Sequence, residues 1–185
     1  MTTATPKFIT LTEFLVFPNI DESPAWEHIN GEAIQKPMGG GKHSILQKKI
    51  VGVIDRLDSN YEAFPELRCT VGDRSIVPDV SVVERDRVPI DESGEITSIG
   101  IEFAPDWVIE ILSPNQSQTK VTGNILHCMK NGCRLGWLID PKEKSVLVYQ
   151  RDRLPELLRG AEQLLVLEDI DLVLTVEQIF SWLRR

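Results

Sequence analysis

Two acidic residues stand in parts of the sequence where an acid is costly. Asp79 follows Pro78 in the apolar stretch IVPDVSVV, and Glu110 lies inside the apolar stretch WVIEIL. A buried carboxylate is strongly destabilising unless it is paired with a cation or bound to a metal. Because side chains alternate along a strand, both acids face one cleft if their strands are neighbours. The pair therefore has the outline of a site for a hard divalent cation.

The same two acids also have a structural explanation. Asp79 would bend or end its strand after the proline, and Glu110 would pair with a basic side chain on an adjacent helix. Ion-pair networks are commoner than active sites, so the spacing alone leaves both explanations open.

Basic and polar residues that could bind a phosphate precede the acids. His43 and Gln47 are four residues apart and share one face of a predicted helix, with Lys42 beside them. The stretch 33–54 contains no acid and is the most positive part of the chain, which suits phosphate contacts. A helix cap explains His43 equally well, and an exposed helix face explains the lysines. The lysines of this stretch are Lys36, Lys42, Lys48 and Lys49.

Local signals predict helices and strands in mixed order. Asn30-Gly31 tolerates the positive φ angles of a tight turn and predicts a β-hairpin over 26–36. Three consecutive glycines, Gly39 to Gly41, predict a flexible connector outside any regular element. The apolar periodicity predicts four helices, after Thr10, over 43–57, over 117–130 and after Thr175. It also predicts a pair of strands, 67–71 and 76–83, joined by a turn at 72–75. Three further strands are predicted over 107–112, 135–139 and 145–149.

The composition narrows the class of protein. The chain has 185 residues and a net charge of −8, with 42 % hydrophobic residues, which predicts one globular domain over 1–185 with a core at about 26–150. The acidity lowers the expectation of a non-specific nucleic-acid binder, although acidic metal enzymes do act on phosphates.

No apolar run is long enough to cross a membrane, and Met1 to Thr5 lack a signal pattern, so we expect a cytoplasmic protein without membrane partners. The three cysteines lack zinc-site spacing.

Five stretches together resemble the Uma2 family (DUF820), which is similar to the PD-(D/E)XK nuclease superfamily and abundant in cyanobacteria. They are WEHINGE, GKHS, IVPDVSVV, APDWVIEILSP and NGCRLGWLIDP, and they span about 26–149. The resemblance implies an α/β, restriction-endonuclease-like fold, in which helices flank a mixed β-sheet behind an N-terminal hairpin. It also implies a cyanobacterial source, a nucleic-acid partner with DNA expected, and hydrolysis of phosphodiester bonds.

The resemblance further implies roles for individual residues. In that superfamily the acid after the proline and the acid on the next strand bind a divalent metal, which makes Asp79 and Glu110 the expected ligands of Mg²⁺, with Mn²⁺ as the alternative. A lysine positions or activates the attacking water. Here Leu112 replaces the usual lysine two residues after the second acid, and Asn124 stands at the helix position that supplies it in many relatives. Lys120, one helical turn earlier, is the substitute, although a solvated first-turn lysine explains it equally well.

Two functions follow from these features. The first is a metal-dependent endonuclease with Asp79, Glu110 and Lys120 at its centre. The second is a catalytically degenerate nuclease fold that serves as a binding or regulatory module and is compatible with a homodimer. Glu27, Glu32 and Glu66 are candidate third carboxylates, each also expected as a solvated strand residue.

Overall fold

The structure is a computed structural model that describes residues 8–97 and 99–184 as ten strands and four helices. The helices are α1 (Leu11–Leu15), α2 (Gly41–Ile54), α3 (Gln118–Lys130) and α4 (Val176–Ser181). The strands are β1 (Trp26–Ile29), β2 (Glu32–Gln35), β3 (Tyr61–Pro65), β4 (Cys69–Val71), β5 (Arg74–Ile76), β6 (Val80–Glu84), β7 (Trp107–Ile111), β8 (Leu135–Asp140), β9 (Ser145–Gln150) and β10 (Glu156–Arg159).

The strands form two sheets of different size. The large sheet has the order β10-β9-β8-β7-β6-β3, in which β7 and β8 are parallel and the other neighbours are antiparallel. A parallel pair needs a crossover connection, which α3 supplies between β7 and β8. The small sheet has the order β2-β1-β5-β4 and is antiparallel throughout. The expected mixed sheet flanked by helices is confirmed.

Strand β7 lies at the centre of the large sheet and is buried along its whole length. Trp107, Ile109 and Ile111 pack in one apolar cluster with residues of α2 and α4. The alternate residue Val108 packs in a second cluster with residues of α3. The prediction of a central strand covered on both faces is therefore correct, and Glu110 shares the face of Val108.

The N-terminal hairpin forms where Asn30-Gly31 predicts it. Asn30 has a φ of 53° and Gly31 a φ of 80°, the left-handed values of a type I′ turn. This turn pairs β1 with β2 so that Glu27 lies opposite Ile34. Ile34 and Lys36 share one side of the hairpin because side chains alternate, so Lys36 lies on the same face as Glu27.

Two of the sequence predictions are wrong. The strand predicted over 76–83 is divided: β5 ends at Ile76 and pairs with β4, whereas β6 begins at Val80 in the large sheet. Pro78 has no N–H to donate to a ladder, and the chain passes from one sheet to the other at this point. The glycine run does not lie wholly outside regular structure, since Gly40 caps α2 and Gly41 is the first residue of that helix. The first turn of a helix needs no internal acceptors for its N–H groups, so glycine is tolerated there.

No helix within residues 8–97 and 99–184 combines the length and the apolar character that crossing a bilayer requires. Met1 to Thr5, on which the expectation of no signal peptide rests, lie outside the described residues.

Candidate functional site

The two acids singled out by the sequence lie at the junction of the two sheets. Asp79 is in the link between β5 and β6, and Glu110 is on β7. The register pairs Val80 with Ile109 and Ser81 with Val108, so its continuation brings Asp79 opposite Glu110 on one face. Each acid is only 3 % exposed. Two carboxyl groups therefore meet in a place with almost no water to solvate them.

The Asp79 carboxylate is held by three donors. Lys36 Nζ lies 2.8 Å from Oδ1, and His43 Nε2 lies 3.0 Å from Oδ2. The backbone N–H of Ile111 also donates to Oδ2, at 2.7 Å. Burial alone would raise the pKa of Asp79, but the Lys36 ammonium and the contacts with His43 hold it well below its usual range. Asp79 is accordingly an ionised carboxylate.

Glu110 has the opposite electrostatic situation. Burial raises the pKa of Glu110 well above its usual value, and the negative charge of Asp79 raises it further. Lys36 offsets part of this effect, while a hydrogen bond shared with Asp79 favours the protonated form of Glu110. Two adjacent carboxyl groups cannot both ionise cheaply without another cation. The pair is therefore short of positive charge.

The small sheet contributes a third acid and the ammonium. Glu27 on β1 is 7 % exposed and accepts the N–H of Val77 at 2.8 Å. Burial raises the pKa of Glu27 above its ordinary value, and Lys36 offsets only part of this rise. Lys36 follows β2 and also donates to the carbonyl of Val77, at 2.5 Å. Burial lowers the pKa of Lys36, but Asp79, Glu110 and Glu27 together raise it above its ordinary value.

Sequence reasoning named Glu27 as a candidate carboxylate and placed Lys36 only in a positive stretch. The Asn30-Gly31 turn contained the information that was needed to place Lys36 near Glu27. Its hairpin register places Glu27 and Lys36 on the same face of the small sheet. An acid and a lysine on that face were therefore predictable neighbours.

The start of α2 closes one side of the site. Gln47 Nε2 donates to the backbone carbonyl of Asp79 at 2.8 Å, one helical turn after His43. A Cβ on Gly39 would lie 2.6 Å from Nδ1 of His43, so only glycine leaves room for the imidazole in this position. Lys42 is exposed at the same end of the helix. Of the three predicted phosphate-binding residues, the structure brings His43 and Gln47 to Asp79 and leaves Lys42 outside.

A polar cleft of about 240 Å³ opens beside Asp79. Asp79 and Lys36 line this cleft and Glu110 does not, so a ligand in the cleft contacts Asp79 and Lys36 directly. The polar lining residues are Ser23, Lys36, His43, Ser44, Gln47, Glu66, Asp79, Ser113 and Gln116.

The remaining predicted residues lie further from the acid pair. Lys120 is exposed on the first turn of α3, where its backbone N–H donates to Ser117. Asn124 is buried, and its Oδ1 accepts from Arg74 Nη1 at 3.4 Å. Glu32 is half-buried on β2. Glu66 is exposed at the edge of the cleft.

The donor set is compatible with a hard divalent cation. Asp79 and Glu110 offer carboxylate oxygens on one face, and their mutual repulsion is the condition that a cation relieves. Within residues 8–97 and 99–184, no three His, Cys, Asp or Glu side chains are grouped as a ready-made ligand set. Mg²⁺ commonly uses one or two carboxylates and completes its shell with waters and substrate phosphate, so two acids are sufficient for it.

Comparisons with known proteins agree on the class of this chain. Residues 11–177 match the family model Uma2, which is described as "Putative restriction endonuclease". A solved structure from Anabaena variabilis ATCC 29413, titled as a "putative nuclease belonging to DUF820", is similar with 49 % identity and a TM-score of 0.89. The similarity covers 95 % of this chain and 99 % of that one. No curated protein matches the sequence.

Proposed function

The chain belongs to the Uma2 family, and from that membership we propose that it is a metal-dependent nuclease that hydrolyses phosphodiester bonds of nucleic acid, with DNA as the expected substrate. The nuclease descriptions of the family model and of the Anabaena protein support this class of activity. The observation that carries the proposal is the pair of buried carboxyl groups, Asp79 and Glu110, on one face of neighbouring strands beside a polar cleft.

In this proposal Asp79 and Glu110 hold Mg²⁺, with Mn²⁺ as a substitute. When bound, the metal polarises the scissile phosphate and lowers the pKa of its water. Asp79 is already ionised and is oriented by the N–H of Ile111, so it needs no proton loss to become a ligand. Glu110 must lose its proton, which the neighbouring cation favours.

The start of α2 supplies the proposed phosphate contacts. His43 and Gln47 line the cleft, and each donates a hydrogen bond to Asp79. These contacts keep both side chains at the cleft wall. The Gln47 amide has a second N–H that can donate to an entering phosphate, whereas Nε2 of His43 is engaged by Asp79. Lys42, exposed at the same helix end, adds positive charge near the entrance.

The activity is tested by incubating the purified protein with single-stranded and double-stranded DNA, with Mg²⁺, with Mn²⁺ and after chelation. We expect metal-dependent cleavage that falls by about 10²- to 10³-fold or more in Asp79→Asn and in Glu110→Gln, because each variant loses a ligand of the metal whose charge stabilises the transition state. Glu102→Gln is the matched control, since this glutamate is exposed eight residues before Glu110. Calorimetry should show Mg²⁺ binding that depends on both acids. Metal-independent cleavage, or unchanged cleavage in both variants, would reject this site.

A second candidate is a catalytically degenerate nuclease fold that binds DNA or a regulatory partner. The observation that favours it is the Lys36 ammonium, which already neutralises part of the charge a metal would neutralise. A degenerate module predicts DNA binding without cleavage in either metal and no ion binding that depends on Asp79 and Glu110. Light scattering would show in the same samples whether the module is a homodimer.

A further inference from the structure

A cationic side chain beside the scissile phosphate would stabilise the charge that develops in the reaction proposed above. Sequence reasoning assigned this role to Lys120, four residues before Asn124. The structure instead brings a different lysine to the acid pair. We propose that Lys36, at the end of the N-terminal hairpin, is the catalytic lysine of this chain; this inference rests on the proposed nuclease function.

The placement of Lys36 carries the inference. Its side chain is 11 % exposed, and its ammonium lies 2.8 Å from Oδ1 of Asp79. The residue lines the same cleft as Asp79, so its charge borders the space that a phosphate would enter. Its backbone N–H donates to the carbonyl of Ala25 at 2.9 Å, which fixes the start of the side chain.

The hydrogen-bonding capacity of Lys36 also suits the role. An ammonium has three donors. Among the described residues, Val77 and Asp79 accept two hydrogen bonds from Nζ. The third donor is available to a water or to a phosphate oxygen in the cleft.

Helix α3 brings no comparable cation to the acids. Lys120 is exposed, and no hydrogen bond or ion pair joins its side chain to Asp79 or Glu110 within residues 8–97 and 99–184. Asn124 is uncharged and is engaged by Arg74. Lys36 follows β2 of the small sheet, and its ammonium places next to Asp79 the positive charge that α3 does not supply.

The step assigned to Lys36 is electrostatic. The water oxygen forms a new bond to phosphorus, and the ester P–O bond breaks with its electron pair remaining on the alkoxide that leaves. One water proton passes to solvent, and a solvent proton neutralises the alkoxide. Lys36 donates its one remaining N–H to a non-bridging phosphate oxygen, and it neither gains nor loses a proton.

The test compares Lys36→Met and Lys36→Arg with Lys120→Met, which changes the lysine that the sequence favoured for the same role. Cleavage rates, Mg²⁺ affinity by calorimetry and thermal unfolding are measured for each. We expect Lys36→Met to lower kcat by about 100-fold or more while Mg²⁺ binding is kept or becomes tighter, because a cation that competes for Asp79 is gone. Lys36→Arg keeps the charge and the donors, so it should recover part of the lost rate. Lys120→Met should stay within about threefold of wild type, the size expected for an exposed charge.

The outcomes separate this inference from the proposed function. If wild type cleaves DNA and Lys36→Met cleaves equally well with tighter Mg²⁺ binding, Lys36 merely occupies the metal position and the inference fails alone. A large loss in Lys120→Met together with normal cleavage in Lys36→Met would return the role to α3. If wild type neither cleaves nor binds Mg²⁺ through Asp79 and Glu110, both proposals fail. Should Lys36→Met not fold, Lys36→Gln makes the same comparison, since it keeps a donor and removes the charge.

Discussion

Two buried aspartates, Asp79 and Asp106, have closely related positions but different surroundings. Each follows a proline and precedes a central strand, β6 for Asp79 and β7 for Asp106. Each also accepts a backbone N–H from the far end of the other strand: Asp79 from Ile111 at 2.7 Å, and Asp106 from Glu84 at 2.9 Å. Because β6 and β7 are antiparallel, the two carboxylates join the same strand pair at its opposite ends.

The neighbours of the two aspartates differ. Asp106 accepts from Arg87 at 2.7 Å and lies 3.5 Å from Arg134, and both arginine side chains are about 40 % exposed. Asp79 faces a buried ammonium and a second buried acid, whose pKa is raised. A carboxylate with surplus positive charge around it suits a structural clamp, whereas two carboxyl groups beside a single ammonium have the charge balance that the proposed cation site requires. The identity of the neighbours, and not burial itself, distinguishes the two places.

The largest expected effect comes from the same substitution at both places. Asp79→Asn should abolish metal-dependent cleavage, while Asp106→Asn should keep it at close to the wild-type rate. Both variants should lose stability, by roughly 1–3 kcal/mol, because each leaves buried polar partners poorly satisfied. Cleavage assays and denaturant unfolding of the two proteins measure these effects side by side. Equal losses of cleavage in both variants would mean that the two aspartates do not differ in role.

A smaller effect is expected from Glu110→Gln on the stability of the metal-free protein. Folding raises the pKa of Glu110 above its ordinary value of 4.5, so the folded state binds this proton more tightly than the unfolded chain does. The stability that this provides is complete below pH 4.5 and is lost as the pH rises toward the folded pKa. The glutamine does not titrate, so the variant should exceed wild type in Tm at neutral pH, by roughly 2–4 °C for each kcal/mol gained.

The pH dependence of the difference in Tm serves as the control for this prediction. The difference in Tm between Glu110→Gln and wild type should shrink as the pH is lowered toward 4.5, where Glu110 is protonated in both states. Glu102→Gln, at an exposed position, should show no such trend. A variant that is less stable than wild type at every pH would show that the glutamate is not under electrostatic stress.

The smallest effect is expected at the second aspartate. Arg134→Met removes a half-exposed partner of Asp106 and a hydrogen bond to Tyr61, yet leaves Arg87 on the same carboxylate. We expect a loss of roughly 0.5–1 kcal/mol in the free energy of unfolding, with cleavage unchanged. Urea unfolding and the DNA assay together measure this. A loss of cleavage comparable to that of Lys36→Met would mean that the second cluster takes part in the chemistry.

The main elements of the fold were predictable because their signals are local. Helix α3 begins where Ser117 caps it and ends at the Asn131-Gly132 stop, and the hairpin forms at Asn30-Gly31. The break between β5 and β6 was missed because 76–83 reads as one apolar run, and only Pro78 marks the change of sheet. Strand β3 was missed although Tyr61 and Ala63 alternate with less buried residues. Strand β10 lies at a sheet edge, and most of its residues are exposed, so it had little apolar pattern to detect.

The candidate site was only partly predictable for a related reason. Asp79 and Glu110 were noticeable because acids are rare in apolar strands. Lys36 carried no such contrast, since a lysine after a hairpin arm is usually solvated. Its contact with Asp79 depends on how the two sheets dock, and that docking has no local sequence signal.

Val77 accepts a hydrogen bond from Lys36 and donates one to Glu27, and these contacts between the sheets have a consequence for the order in which the site is assembled. Lys36 and Asp79 are 43 residues apart in sequence, and Glu27 is 50 residues from Val77. The strand that carries Glu110 is synthesised later still. Contacts over such distances form late in folding, because the entropy of closing long loops must be overcome before they stabilise the chain. A ribosome-bound chain that has not yet emerged as far as β7 therefore lacks the acid pair, so the site of the proposed activity can form only after both sheets are in place.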